Sequence, residues 1–175
     1  DTNSHHILID DGHAVRFGAS NDLEIYHDGN TTSYIDGKSS QLRIETDALR
    51  LRSDSGETYL ESDANGAVKL YYDNTKTFET QSAGITVLGG EGGAGQIQLF
   101  SDEGDDNADK WRITKEAGNN SFRIQNYTSG SWETNILATG DGTVELYHDN
   151  VKTLYTDSDG VVIGQSSYKQ LKIDG

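Results

Sequence analysis

The densest group of side chains able to do chemistry is an acidic run: Asp102, Glu103, Asp105, Asp106, Asn107 and Asp109. Calcium takes about six to eight oxygen ligands, so carboxylates at this density suit it. The spacing departs from the Asp-x-Asp/Asn-x-Asp/Asn-Gly calcium loop, because Gly104 stands at the second ligand position. A solvated acidic loop between strands is the favoured reading. Tyr-His-Asp occurs twice, as Tyr26-His27-Asp28 and Tyr147-His148-Asp149, and suggests acid–base chemistry. Neighbouring strand residues point to opposite faces, however, so His27 and Asp28 are not placed to meet. His27 continues the face of Leu23 and Ile25, and His148 that of Val144 and Leu146. On a three-fold axis three such histidines would form an ion site. Partly buried strand-end residues are the favoured reading, because Tyr72 replaces the histidine in a related segment.

Other catalytic patterns are weak. Glycoside hydrolysis needs two carboxylates about 5 Å or about 6.5–9.5 Å apart, and this chain has carboxylates throughout, so their presence decides nothing. Gly-x-Ser-x-Gly is absent. Gly89-Gly90-Glu91-Gly92-Gly93-Ala94-Gly95 lacks the Lys-Ser/Thr ending of a phosphate loop and reads as a flexible connector. His5-His6 lacks further metal partners. Tyr127 and Trp132 flank Thr128-Ser129-Gly130-Ser131 at an expected hairpin tip, where aromatic rings suit sugar stacking. The favoured alternative packs Trp132 inward beside Ile136 and Trp111. No catalytic, cofactor-binding or metal-binding residue is assigned, and a non-enzymatic protein is expected.

The elements that carry these groups are strands. The 175 residues are 33% hydrophobic with a net charge of −15, and Leu, Ile, Val and Phe make up about a fifth of the chain. Such a thin core offsets chain entropy poorly, and oligomerisation is the usual remedy where cysteines are missing, as here. The charge disfavours nucleic acid and anionic lipid as partners. No apolar run approaches the length of a membrane helix, so no membrane insertion is expected, and no signal peptide is visible. Zero Pro with 20 Gly suits a chain of strands and turns.

Apolar residues recur two apart from end to end: Val15–Phe17, Leu23–Ile25, Leu42–Ile44, Leu49–Leu51, Val68–Leu70, Ile85–Val87, Ile97–Leu99, Trp111–Ile113, Phe122–Ile124, Val144–Leu146, Val161–Ile163 and Leu171–Ile173. Most enclose a polar residue, which is the signature of half-buried strands. Asp-Gly, Asn-Gly and similar pairs between them, such as Asp36-Gly37, Asn65-Gly66 and Asp141-Gly142, predict hairpin turns. No helix longer than one turn is expected. Residues 65–87 align without gaps to 141–163 with 11 identities in 23 positions, and 23–29 is a partial third copy. Uneven spacing between the copies argues against a fixed-rung solenoid and for a rod of hairpins. The expected segments are an N-terminal hairpin region (1–64), a first full repeat (65–89), a Gly-rich connector with a Trp-bearing module (90–140), and a second repeat with C-terminal strands (141–175).

LEIYHDGNTTSYI (23–35), VKLYYDNTKTFETQSAGITV (68–87) and VELYHDNVKTLYTDSDGVVI (144–163) resemble the repeats of tail-fibre and other structural proteins of marine bacteriophages, cyanophages especially. FSDEGDDNADKWRI (100–113) and NYTSGSWETNILATGDGTVELYHDN (126–150) are similar to a second module of such proteins. The resemblance implies an all-β, elongated, intertwined homotrimeric fibre of triple β-helix or β-prism type. It implies a structural and adhesive segment of an extracellular virion tail fibre, acting in host attachment. Its partners would be two further copies of itself, other tail or baseplate proteins, and a host surface glycan. The alternatives are a polysaccharide-degrading tailspike module and a calcium-dependent β-sandwich adhesin.

Overall fold

A computed structural model describes residues 7–38 and 41–164. His5-His6 and Leu171–Ile173 lie outside them. The described residues are all-β: fifteen strands in three antiparallel sheets, each an up-and-down meander, with two three-residue 3₁₀ turns at 102–104 and 107–109. The chain divides into two units, 1–46 and 47–175.

The first unit holds β1 (Ala14–Phe17), β2 (Leu23–His27) and β3 (Ser33–Gly37). The second holds a five-stranded sheet of β4 (Ala48–Arg52), β5 (Thr58–Asp63), β6 (Val68–Tyr72), β7 (Thr75–Gln81) and β8 (Gly84–Val87). A seven-stranded sheet follows: β9 (Gly95–Phe100), β10 (Lys110–Lys115), β11 (Ser121–Asn126), β12 (Glu133–Thr139), β13 (Val144–His148), β14 (Val151–Asp157) and β15 (Gly160–Ile163). The segment boundaries at 64/65 and 140/141 expected from the repeat fall inside these two sheets, between β5 and β6 and between β12 and β13.

Register gives each sheet one apolar face. Directly opposed residues share a face, and the pairs chain into unbroken rows. In the first unit the row is Val15–Ile25–Ile35. In the five-stranded sheet it is Leu51–Leu60–Leu70–Phe78–Val87. In the seven-stranded sheet it is Ile97–Ile113–Ile124–Ile136–Leu146–Leu154–Ile163. The apolar pairs marked β1, β2, β4, β6, β8–β11, β13 and β15 correctly. They missed β3, β5, β7, β12 and β14, whose row residues Ile35, Leu60, Phe78, Ile136 and Leu154 have no large apolar residue two positions away. Leu42–Ile44 lies outside any strand, and Asp36-Gly37 belongs to β3 instead of a turn.

The structural duplication is longer than the sequence repeat. Strands β4–β8 match β11–β15 strand for strand. The bulges also match: Tyr59 and Asn135 are the extra residues on β5 and β12, and Thr77 and Thr153 those on β7 and β14. Residues identical in both copies hold the turns. Asp73-Asn74 and Asp149-Asn150 take positive φ at all four positions, the geometry of a tight two-residue hairpin. Asn74 Oδ1 accepts the Thr58 N–H at 3.0 Å, and Asn150 Oδ1 accepts the Thr134 N–H at 3.2 Å. Thr80 and Thr156 hydroxyls accept the N–H groups of Val68 and Val144, each at 3.0 Å. The asparagine bonds tie each hairpin to the preceding strand, and the threonine bonds join its own two strands.

The Gly-rich stretch is a close-packed turn, where a flexible connector was expected. A Cβ at Gly89 would lie 2.4 Å from the Gly93 carbonyl oxygen, so only glycine fits. The turn sets Val87 beside Ile97, Ile113 and Phe122 around a small hollow, so the apolar faces of the two sheets adjoin.

Replacing Asn74 or Asn150 by Ala removes a backbone-directed hydrogen bond and sets a residue that tolerates positive φ poorly where asparagine tolerates it. Each change should cost roughly 1–3 kcal/mol. Denaturant unfolding of the two variants should give similar losses, since the two turns are equivalent.

Candidate functional site

Three surfaces are candidates: the apolar faces, the charged faces and the loops. No hydrophobic side chain is buried among the described residues. The row members are half-buried or exposed: Ile113, Ile124 and Ile136 are half-buried, Leu70 is 41% exposed and Leu146 38%, and Ile35 reaches 62%. Isolated exposed apolar residues are ordinary, but a continuous face of them marks an interaction surface.

The opposite faces carry paired charges. In the first unit Arg16 bonds Glu24 at 2.6 Å, and Lys38 approaches the same carboxylate at 3.1 Å. Tyr26 and Tyr34 stack beside them at 4.7 Å. In the five-stranded sheet Arg50 pairs with Glu61 at 2.9 Å and with Asp63 at 3.0 Å. The Tyr71 hydroxyl donates to Glu61, and Lys76 pairs with Glu79. In the seven-stranded sheet Lys152 pairs with Glu145 at 3.1 Å, and Tyr147 donates to Glu145. The Arg16 hydrogen bond holds Glu24 below the usual glutamate range, Tyr71 does so for Glu61, Lys76 for Glu79, and Tyr147 for Glu145. Burial and the Glu145 acceptor push the Tyr147 hydroxyl up to about 12.

The charged face of β9–β12 differs. Arg112 donates from Nε to Gln125 Oε1 at 2.8 Å and lies 4.3 Å from the Trp132 ring centre. Tyr127 meets Trp132 at 5.0 Å, and Lys110 lies over Tyr127. Trp132 therefore covers Arg112, on the face opposite Trp111 and Ile136. The expected inward packing beside those two residues does not occur, because the turn after β11 folds over the charged side. Gln125 and Thr114 beneath are 3% and 1% exposed.

The remaining sequence candidates are structural. Asp105, Asp106 and Asp109 do converge, with ligand oxygens within 4.8 Å of one another. Their oxygens serve the 3₁₀ turns: Asp109 accepts the Ser101 hydroxyl at 3.1 Å and the Asp106 N–H at 3.3 Å, and Asp105 also accepts the Asp106 N–H. Asp102 and Glu103 take positive φ in the first turn. His27 sits on the apolar face opposite Ser33, 3.3 Å from its hydroxyl, and His148 lies opposite Val151. Asp28 accepts the N–H groups of Asn30, Thr31 and Thr32 at 2.8–3.2 Å, which lowers its pKa and fixes the turn.

Two equivalent hollows open between turn pairs. One, of about 410 Å³, is lined by Asp141, Thr143, Thr156 and Asp157. Its counterpart has Asn65 and Gln81 in place of the two aspartates. Asp157 is committed through Oδ1 to the N–H groups of Asp159 and Gly160. No family model matches the chain, and no curated protein or solved structure is detectably similar to it.

Glu24, Glu61, Glu79 and Glu145 have folded pKa values below their unfolded ones. Their stabilisation is full above the unfolded value, about 4.3, and is lost as pH falls through the lower folded values. The melting temperature should therefore hold between neutrality and about pH 5 and fall below about pH 4. In a thermal titration, Glu61→Gln should make that fall shallower.

Proposed function

We propose that the chain is a structural and adhesive module of a fibre, assembled by covering its apolar faces with further copies of itself. The observation that carries this reading is the set of unbroken apolar rows with no buried hydrophobic residue among the described ones. A face of this kind is stable in water when another surface covers it. Identical copies provide a matching surface, and the charge of −15 keeps the polar sides apart and soluble. The number three, the tail-fibre setting, the extracellular virion location and contacts with other tail or baseplate proteins come from the repeat resemblance. A role in host attachment follows from the same source. The module is not an enzyme on this reading.

The calcium-dependent β-sandwich is less well supported. A sandwich buries the inner faces of its two sheets against each other within one chain, and the described residues bury no such core. The tailspike reading has one specific foothold, the Asp141–Asp157 hollow. Its weakness is that Asp157 already closes a turn.

Light scattering should give three times the 19.1 kDa of one chain, and chelator should leave both mass and melting temperature unchanged. Leu70→Asp and Leu146→Asp should break assembly, because each would bury an unpaired charge. On a free surface the same changes stay within about 0.5 kcal/mol. A folded monomer whose stability ignores both substitutions would sink the fibre reading. Sugar release from bacterial envelope extracts that disappears in Asp141→Asn would establish the tailspike instead.

A further inference from the structure

We infer that the charged face of β10–β12 is a binding site for an acidic saccharide, held by Lys110, Arg112 and Arg123 against the Tyr127–Trp132 pair. The comparison between the two copies carries the argument. Arg50 and Arg123 are equivalent: each sits on the first strand of its copy, on the charged face, one residue before the apolar row. Arg50 faces Glu61 and Asp63 and bonds both. The positions equivalent to those acids are Leu137 and Thr139. Arg123 is left with Glu116 at 3.9 Å, at the limit of an ion pair.

Its neighbours increase the excess. Burial disfavours the charge on Arg112, the nearby Glu116 carboxylate favours it and Arg123 disfavours it, and its one hydrogen-bonded side-chain partner is the neutral Gln125. Lys110 and Arg112 lie over the Tyr127 and Trp132 rings, and neither forms a direct ion pair among the described residues. Thr114, directly opposite Arg123, is 1% exposed with its hydroxyl unpartnered, and Arg123 Nε is likewise buried without a partner. Three cations and spare buried polar groups thus gather on one patch of a chain whose net charge is −15. Partly desolvated cations without a direct ion pair are costly, and an anionic group set beside them would relieve that cost. The half-buried Tyr127–Trp132 pair adds an aromatic wall of the kind that takes the C–H face of a sugar ring. Nucleic acid fits less well, because a dense polyphosphate would be repelled by the rest of the chain.

This inference deepens the adhesive reading above and rests on it. Assembly and binding are read separately: a trimer without saccharide binding removes the site alone, and a monomer that binds keeps the site and removes the fibre. The test is calorimetric titration of the full chain with a hyaluronan tetrasaccharide (carboxylate), a carrageenan tetrasaccharide (sulfate), neutral maltotetraose and a single-stranded oligonucleotide. At least one acidic sugar should bind, and the two arms distinguish carboxylate from sulfate. Arg123→Ala and Trp132→Ala should each weaken binding by about tenfold or more, the scale of one charge-assisted contact. Arg50→Ala should change nothing. Leu137→Glu, which restores the acid found in the first copy, should abolish binding without lowering the melting temperature, and it keeps the test open if Trp132→Ala fails to fold. The site is overturned by equal binding of maltotetraose, by tighter binding of the oligonucleotide, by no acidic sugar binding, or by an equal loss in Arg50→Ala.

Discussion

Each strand from β4 to β8, and each from β9 to β15, contributes one apolar side chain to a cross-strand row, and behind that row the described residues offer no second apolar layer. An antiparallel sheet normally gains its stability by burying one face. Here the ladder hydrogen bonds, the turn bonds and the ion pairs of the far side are made within the chain, while the apolar faces remain open. The hydrophobic term, the largest favourable one in folding, is therefore only partly realised in a single copy, where the row residues are half-buried or exposed. A surface that covered these faces would add the burial that a single copy lacks.

The duplicated half shows which atoms the fold requires. Asp73 and Asp149, Asn74 and Asn150, Thr80 and Thr156 recur because they close hairpins or bridge to the next strand through their side chains. The apolar row exchanges Leu, Phe, Ile and Val between the two copies and stays apolar throughout. The charged face changes most. Lys69 becomes Glu145 and Glu79 becomes Tyr155, and the tyrosine hydroxyl finds its acceptor on the neighbouring strand in one copy and on its own strand in the other. Backbone geometry is kept while surface chemistry drifts.

That division explains what the sequence made legible. Period-two alternation and Asp-Asn or Asn-Gly turns expose most strands and the three-strand repeat. The extension of the repeat to β4–β5 and β11–β12 stays hidden, because TYLESD and TNILAT share only the first residue and align through a bulge. A bulge interrupts alternation, so the periodic signal fails where the register is most distinctive. The Tyr127–Trp132 pair was visible as a candidate, but its face was not, since a six-residue turn can fold to either side of its sheet. The lack of acids opposite Arg123 is invisible in a linear string. It becomes a feature only when the register sets Leu137 where the first copy has Glu61.

The two-faced sheet also constrains where function can reside. If copies of the chain cover the apolar faces, His27 and His148 are enclosed with them, and their neighbours there are Ser33 and Val151. The Asp-rich turn has its carboxylates engaged in its own backbone. Recognition of anything outside the assembly then falls to the polar faces and the loops that fold over them. On two of the three sheets the strand cations of those faces are largely neutralised by adjacent acids. The face of β10–β12 departs from that pattern through the replacement of Glu61 and Asp63 by Leu137 and Thr139. Relative to the first copy, those two changes take two negative charges away from one arginine and leave the strands in place. A chain built from duplicated sheets can acquire a binding surface in this way: by losing the partners of a charge that the scaffold already positions.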